Sequence, residues 1–373
     1  MRASSECTAA PNVQPPGDTG DVSSAVCLQI TARDDAETAG VERGLALIGL
    51  GVRAASRDGI WVGNGSARRS PDRLASAAWW GLPLPSTMMA RVDQRHPGNA
   101  VGDWFVDTRC IDCGTCRDIA PALFADLGGC SVMQRQPDAG EETAAWLAAQ
   151  SCPTMSIGTI SRGHRPGRLY PREVSPASGV FDLGYCSEDS FGASAWFVVR
   201  PAGNVLVDSP RFTEALAAPI AELGGIDHVA LTHRDDVADA QRWAERFDAH
   251  TWIHADDRSG APWATDIITV EQDVQPGLVA IPVPGHTKGS VVFLLDDTWL
   301  FTGDSLAWCH ERADLTAFRD ACWYSWRAQT ESLSKLAERH QFAAVLPGHG
   351  ARHLGTHDVM HERLVALVSR MRP

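Results

Sequence analysis

A chain of 373 residues is long enough for two or three domains with cores of their own, and 44% apolar and 21% charged residues are ordinary for a globular protein. A net charge of −13 argues against a general nucleic-acid or anionic-membrane surface, since both favour basic patches. No apolar run approaches a membrane span, and the opening "MRASSECTAA" lacks the apolar stretch of a secretory signal. The expected compartment is therefore the cytoplasm, with neither nucleic acid nor membrane as partner.

Residues 1–96 hold Ser/Ala/Pro/Gly-rich stretches such as "PNVQPPGDTGDVSSA" without a sustained period, and read as an unassigned or poorly ordered segment. Gly49-x-Gly51-x-x-Ala54 echoes a dinucleotide fingerprint, but neither the strand nor the acidic partner such a turn needs is convincing. The consecutive Met88 and Met89 come after a Pro-rich piece, so the folded part is expected to begin near them. Trp79 and Trp80 argue the other way, as aromatics able to pack on the cysteine-bearing segment C-terminal to them.

Residues 97–160 carry Cys110-x-x-Cys113-x-x-Cys116 and, later, Cys152-Pro153. In a cytoplasmic chain, ten cysteines point to metal or cluster chemistry before disulfides. Three thiolates at two-residue gaps wrap one small iron–sulfur cluster, and a distant fourth closes the remaining iron. A structural zinc site, the alternative, more often uses two separated pairs. The stretch "CIDCGTC…SCPTMSIG" resembles a small bacterial-type ferredoxin domain of α+β form. That resemblance implies one 4Fe-4S (or 3Fe-4S) cluster on Cys110, Cys113, Cys116 and Cys152. Cys130, Cys186, Cys309 and Cys322 read as core thiols.

Residues 161–180 are rich in Pro, Gly and Arg and read as a linker. From 181 to 373 the pattern is α/β. "SAWFVVR" and "NVLVDSP" suggest a hairpin, and "RFTEALAAPIAELGG" a helix ended by Gly224-Gly225. "DHVALTH" reads as a buried strand. "DVADAQRWAERFD" places Val237, Ala240, Trp243, Ala244 and Phe247 on one helical face. Strands are expected in "TWIHA", "LVAIPVPG", "SVVFLLDD", "TWLFTGD" and "AAVLPGH", and a last helix in "DVMHERLVALVSRM".

The apolar strands end in chemistry. His233 and Asp235 follow "LT", His286 lies in "PVPGHTKGS", Asp304 in "LFTGDSL" and His349 in "VLPGHG". Imidazoles and carboxylates on loops at strand ends form a plausible site for zinc, iron or manganese. This order resembles the metallo-β-lactamase superfamily, in the branch that includes glyoxalase II and the flavodiiron proteins. The resemblance implies an αββα sandwich, a structural role for Asp208, and a metal-bridging, catalytic Asp304.

The family's His-x-His-x-Asp-His opening is altered here. Strict register gives His233, Asp235, Val237 and Ala238, whereas a two-residue slip brings in Asp239 and Ala240. One metal set is then His233, Asp235, His286 and Asp304, and a poorer second set is Asp239, His349 and Asp304. Asp236 reads as the N-cap of the following helix. His254 reads as structural, His357 and His361 as surface residues, and the Phe318–Trp326 patch as core and pocket wall.

The implied work is metal-assisted hydrolysis of an ester, thioester or similar bond in a small molecule, with Asp304 and Asp235 as catalytic residues. Lys288 is a candidate substrate contact. A carboxylate-rich site also suits iron, so a flavodiiron-like oxidoreductase fed by the cluster and a redox partner protein is the alternative. A non-catalytic, cluster-bearing sensor is the third reading.

Overall fold

Alternating strand side chains build the larger domain. Val205 and Val207 point into one apolar cluster while Leu206 between them points into another. Val291, Phe293 and Leu295 face that same first cluster, and Val292 and Leu294 face away into a third. Period-two burial on both faces of both strands dictates two sheets packed face to face, each needing an outer cover.

The computed structural model describes residues 90–161 and 166–372. The Gly49–Ala54 turn, Trp79, Trp80, Met88, Met89, Cys7 and Cys27 lie outside them. The first sheet has the strand order Asp266–Ile268, His250–His254, His228–Ala230, Val205–Val207, Trp196–Val198, Val180–Asp182 and Arg172–Glu173. The second runs Gln272–Gln275, Leu278–Pro282, Val291–Leu295, Trp299–Gly303, Ala344–Pro347 and His353–Leu354. Helices Glu214–Glu222 and Ala240–Phe247 supply Leu216, Ile220 and Trp243 to the outer core of the first sheet. Helices Trp326–Arg339 and His357–Met371 supply Leu333, Leu336, Leu364 and Leu367 to that of the second. The αββα sandwich expected from the sequence is the architecture observed.

Helix starts follow their caps. The side chains of Thr213, Ser325 and Thr356 accept from the amides of Leu216, Ala328 and Val359. Gly224 and Gly225, both at positive φ, end the first of these helices as the sequence indicated.

In the smaller domain Trp104–Val106 pairs antiparallel with Ile157–Thr159, and Phe124–Asp126 with Ser131–Met133. Helices Thr115–Ile119 and Glu142–Ser151 complete it, and the Trp104 and Trp146 rings meet edge-on at 4.7 Å. Two boundaries differ from expectation. The Arg91 amide donates to Asp107 Oδ2 (2.8 Å), and the Thr108 amide to the Gln94 carbonyl (2.9 Å), so the domain takes in residues before 97. Within 166–180 the chain is no loose linker. Arg172–Glu173 joins the first sheet, and the buried Tyr170 packs with Leu147 of the smaller domain, its hydroxyl 2.9 Å from Ser151 Oγ. An aromatic with a satisfied hydroxyl welds the domains where composition alone suggested a spacer. Among the described residues no helix is long and apolar enough to cross a membrane.

Phe293 is fully buried between the sheets. Phe293→Ala should cost about 3–5 kcal/mol, read as a lower urea midpoint. An unchanged midpoint would contradict this account of the inter-sheet core.

Candidate metal centre

The strand His228–Ala230 delivers Leu231, Thr232 and His233 to the sheet's end, beside Asp208 at the end of its parallel neighbour. Asp208 accepts from the Thr232 amide (2.8 Å) and from its hydroxyl (2.9 Å). With the hydroxyl proton committed to Asp208, Thr232 Oγ1 offers a lone pair to His233 Nδ1 at 3.0 Å. His233 Nδ1 therefore carries its proton, and Nε2 is left with a lone pair facing inward.

Asp304 follows Trp299–Gly303, and His349 follows the parallel strand Ala344–Pro347. Asp304 Oδ2 lies 3.8 Å from His233 Nε2 and 3.6 Å from His286 Nε2, and its Oδ1 lies 2.8 Å from His349 Nδ1. The His233 and His286 rings stand edge to face at 4.7 Å. Asp235 Oδ2 is 3.5 Å from His286 Nε2, and Asp236 Oδ2 is 3.9 Å from His233 Nε2. Donor atoms of His233, His286 and Asp304 lie within 4.8 Å of one another, and so do those of Asp236, Asp304 and His349. Asp304 belongs to both groups.

Burial lowers His233 to about 4, so its ring is neutral at ordinary pH. Burial also opposes charge on His349, but the adjoining Asp304 outweighs it and lifts the ring to about 10. Asp304 resists burial because His349, then His233 and His286, holds its carboxyl well below the usual range. Burial, followed by the charge of Asp304, pushes Asp236 well above that range. Burial likewise pushes Asp208 up to about 7.

These side chains fit bound cations. His233 Nε2, His286 Nε2 and Asp236 Oδ2 are buried without a hydrogen-bond partner among the described residues, a costly condition that cations would relieve. A cation also lets neighbouring carboxylates ionise together. His233, His286 and Asp304 would hold one ion, with Asp235 at its rim. Asp236, Asp304 and His349 would hold a second.

The structure brings His233, Asp235, His286, Asp304 and His349 together but leaves Asp239 out. Asp239 accepts the Phe212 amide at 2.7 Å, at the foot of the helix Ala240–Phe247. The N-cap reading of Asp236 is corrected: that helix starts later, and Asp236 turns inward, 1% exposed. The one available signal was the doubled acid in "HRDDVADA". Asp257 was missed altogether. It accepts from Thr287 Oγ1 (2.5 Å), the Arg234 amide (3.1 Å) and the Gly289 amide (3.2 Å), and so ties the His233 loop to the His286 loop.

The remaining candidates occupy other places. His254 Nδ1 accepts from the Asp256 amide, and Lys288 pairs with Asp256 at 2.9 Å on the surface. His357 meets the Asp297 carbonyl, and neither it nor His361 joins either donor group. In the aromatic patch, the Trp323 and Tyr324 amides both donate to the His286 carbonyl; both side chains are half-exposed, and the Trp323 ring lies 6.2 Å from the His286 ring.

In the smaller domain Cys110, Cys113, Cys116 and Cys152 line one small cavity with Val106, Ile111 and Ile157. Asp112 and Gly114, both at positive φ, curl the loop so that its cysteines converge. The Asp112 and Ser131 amides point at Cys110 Sγ (3.4 Å each), and the Ser156 amide at Cys152 Sγ (3.3 Å). Burial pushes Cys113 up to about 12 and holds Cys116 well above the usual thiol range, so this dry pocket tolerates thiolates only around compensating positive charge. Converging sulfurs that receive amide hydrogens fit an iron–sulfur cluster. Cys130 does not line the cavity, and its thiol meets the Ser131 carbonyl.

A family model described as the 4Fe-4S single cluster domain of Ferredoxin I matches residues 106–159, and one for the metallo-beta-lactamase superfamily matches residues 184–367. The chain thus carries a single-cluster ferredoxin domain followed by a domain that belongs to the metallo-beta-lactamase superfamily. Among curated relatives, a hydroxyacylglutathione hydrolase of Acidiphilium cryptum is 33% identical over 117 residues, 30% of this chain and 48% of that protein. The uncharacterized protein YmaE of Bacillus subtilis is 30% identical over 114 residues, 28% of this chain and 40% of that one. The chain thus spans half or less of the length of these two relatives. Similar solved structures include a metallo-beta-lactamase from Hirschia baltica (TM-score 0.42, 18% identity, 54% of this chain and 97% of that chain). VMB-1 is another (TM-score 0.42, 19% identity, 53% and 95%).

Asp236→Ala should remove one metal ion per chain and leave helix content intact, whereas Asp239→Ala should leave the metal content unchanged. Elemental analysis with far-UV circular dichroism reads both. Metal loss in Asp239→Ala alone would reverse the assignment.

Proposed function

We propose that the protein is a metal-dependent hydrolase of a small ester or thioester. The observation that carries this reading is the buried, unpartnered set of His233 Nε2, His286 Nε2 and Asp236 Oδ2 around Asp304. A divalent cation held there supplies Lewis acidity and lowers the pKa of a coordinated water. The chain's own residues do the rest. Asp304 joins the two donor groups. Asp208, through Thr232, presents His233 in the tautomer that offers Nε2. Asp235, half-exposed beside His286, is placed to take the proton of an attacking water and return it to the leaving alcohol or thiol. Trp323 and Tyr324 offer apolar walls for the acyl chain. The similarity to a hydroxyacylglutathione hydrolase supports the thioester choice. The cluster implies, in addition, exchange of electrons with a redox partner protein.

One observation favours a second reading. His233, His286 and Asp304 form a two-histidine, one-carboxylate set with further aspartates near it, a donor mix that suits iron. The site would then be an iron oxidoreductase centre.

Protein prepared without oxygen should hold about one cluster per chain by iron and sulfide assay. After dialysis against chelator and reloading with zinc, thiol release from a panel of acyl thioesters should appear, and Asp304→Asn should abolish it. Hydrolysis that survives chelation would contradict the proposal. Iron in the site that changes redox state with dithionite, without hydrolysis, would favour the second reading.

A further inference from the structure

One turn lies between the two centres. Residues Ser187–Ala193 fold back on themselves: the Phe191 amide bonds the Glu188 carbonyl and the Gly192 amide the Ser187 carbonyl (2.8 Å). Phe191 and Gly192 both sit at positive φ, 51° and 88°. On one side a Cβ at Gly192 would lie 2.7 Å from both Cβ and Sγ of Cys113, so only glycine lets the cluster loop come this close. On the other side the Phe191 carbonyl lies 3.3 Å from His349 Nε2, and the Ser194 amide bonds the Gly348 carbonyl at 2.7 Å. A cavity of about 180 Å³ is lined by Cys113, Thr115, Gly348 and His349 and by Cys186 and Ser194, the residues on either side of the turn.

Thr115 is the contact between turn and cluster loop. Its hydroxyl donates to the Gly192 carbonyl at 2.8 Å, and its oxygen is 3.3 Å from Cys113 Sγ. As a cluster ligand Cys113 is a thiolate and has no proton to give. Thr115 then has one proton and two acceptors, a carbonyl that anchors the turn and a sulfur whose electron density depends on the cluster. The Phe191 carbonyl, in turn, receives Nε2–H of His349 and leaves Nδ1 toward Asp304.

We propose that Thr115 and the Phe191–Gly192 turn form a relay through which the oxidation state of the cluster sets how tightly Asp236, Asp304 and His349 hold a cation. A cluster held by the four cysteines would, on taking one electron from an external low-potential reductant such as dithionite, leave the Cys113 sulfur richer in electron density. The Thr115 hydroxyl swings from the Gly192 carbonyl to that sulfur, keeping its proton on its own oxygen. The turn loses an anchor, and the Phe191 carbonyl loosens its grip on the His349 ring. Losing such an outer support typically costs about 10–100-fold in metal affinity. Direct Coulomb attraction has the opposite sign, since a more negative cluster draws a nearby cation more tightly. Thr115 and the turn are positioning residues in this scheme, and linkage makes the effect reciprocal, with a bound cation shifting the cluster's midpoint potential.

The inference rests on reading this group as a metal centre. Zinc, itself redox-inert, is titrated into the full chain against a chromophoric chelator, with the cluster oxidised and then reduced by dithionite. The zinc held by Asp236, Asp304 and His349 should bind about tenfold or more less tightly after reduction. Thr115→Val should bind it weakly and equally in both states, with iron, sulfide and the visible spectrum unchanged. Thr115→Ser, which keeps the hydroxyl, should restore the difference. Equal or tighter binding after reduction, or a difference that persists in Thr115→Val with its cluster intact, would overturn the relay. Absence of a second zinc in both states would instead remove the metal-centre reading beneath it.

Discussion

Two imidazole nitrogens and a carboxylate oxygen are shut away from solvent at the end of the sandwich without partners among the described residues, and the rest of the domain is arranged around that cost. Each orphaned polar atom costs about 1–3 kcal/mol in a folded protein. The fold holds three of them, His233 Nε2, His286 Nε2 and Asp236 Oδ2, around one shared carboxylate, Asp304. Parallel pairing of Val205–Val207 with His228–Ala230 sets Asp208 beside Thr232, and parallel pairing of Trp299–Gly303 with Ala344–Pro347 sets Asp304 beside His349. Asp257 then ties the His233 and His286 loops to each other. The sheets supply the rigidity and the loops supply the donors.

What was legible in the sequence divides along physical lines. Apolar periodicity was enough for an α/β domain, because Val, Leu and Phe at period two have to be buried on the faces of a sheet; the αββα order of its layers was implied only by the resemblance to the metallo-β-lactamase superfamily. Spacing was enough for the four cysteines, since a loop of that length has to curl around what its thiols bind. His233, His286, Asp304 and His349 were visible because each closes an apolar strand. Asp236 was not, because an aspartate one residue before a valine, at the mouth of a helical pattern, has the local signature of a cap. Only the placement of the helix start at Ala240 turns it inward. Asp257 carried no signal at all, since its partners are two backbone amides and a hydroxyl from loops distant in sequence. Tyr170 was hidden by its Pro- and Arg-rich surroundings, although its burial joins the two domains.

The ferredoxin domain is packed onto its neighbour as part of one structure. Thr115 reaches the Gly192 carbonyl, Arg211 the Pro153 carbonyl (2.9 Å) and His310 the Asp118 carbonyl (3.2 Å), all from residues flanking the cysteines. The loop that carries Cys110, Cys113 and Cys116 and the loop that carries His349 both hydrogen-bond the turn between them, through Thr115 and through His349 Nε2.

The central claim is that the buried donors around Asp304 exist to hold metal. A crystal of metal-loaded protein, with anomalous difference maps on either side of the zinc and iron edges, tests it most directly. The account expects a peak within coordination distance of His233 Nε2, His286 Nε2 and Asp304, a second between Asp236, Asp304 and His349, and an iron signal among the four cysteines. No peak at Asp304, with the three orphaned atoms still unpaired, would contradict it.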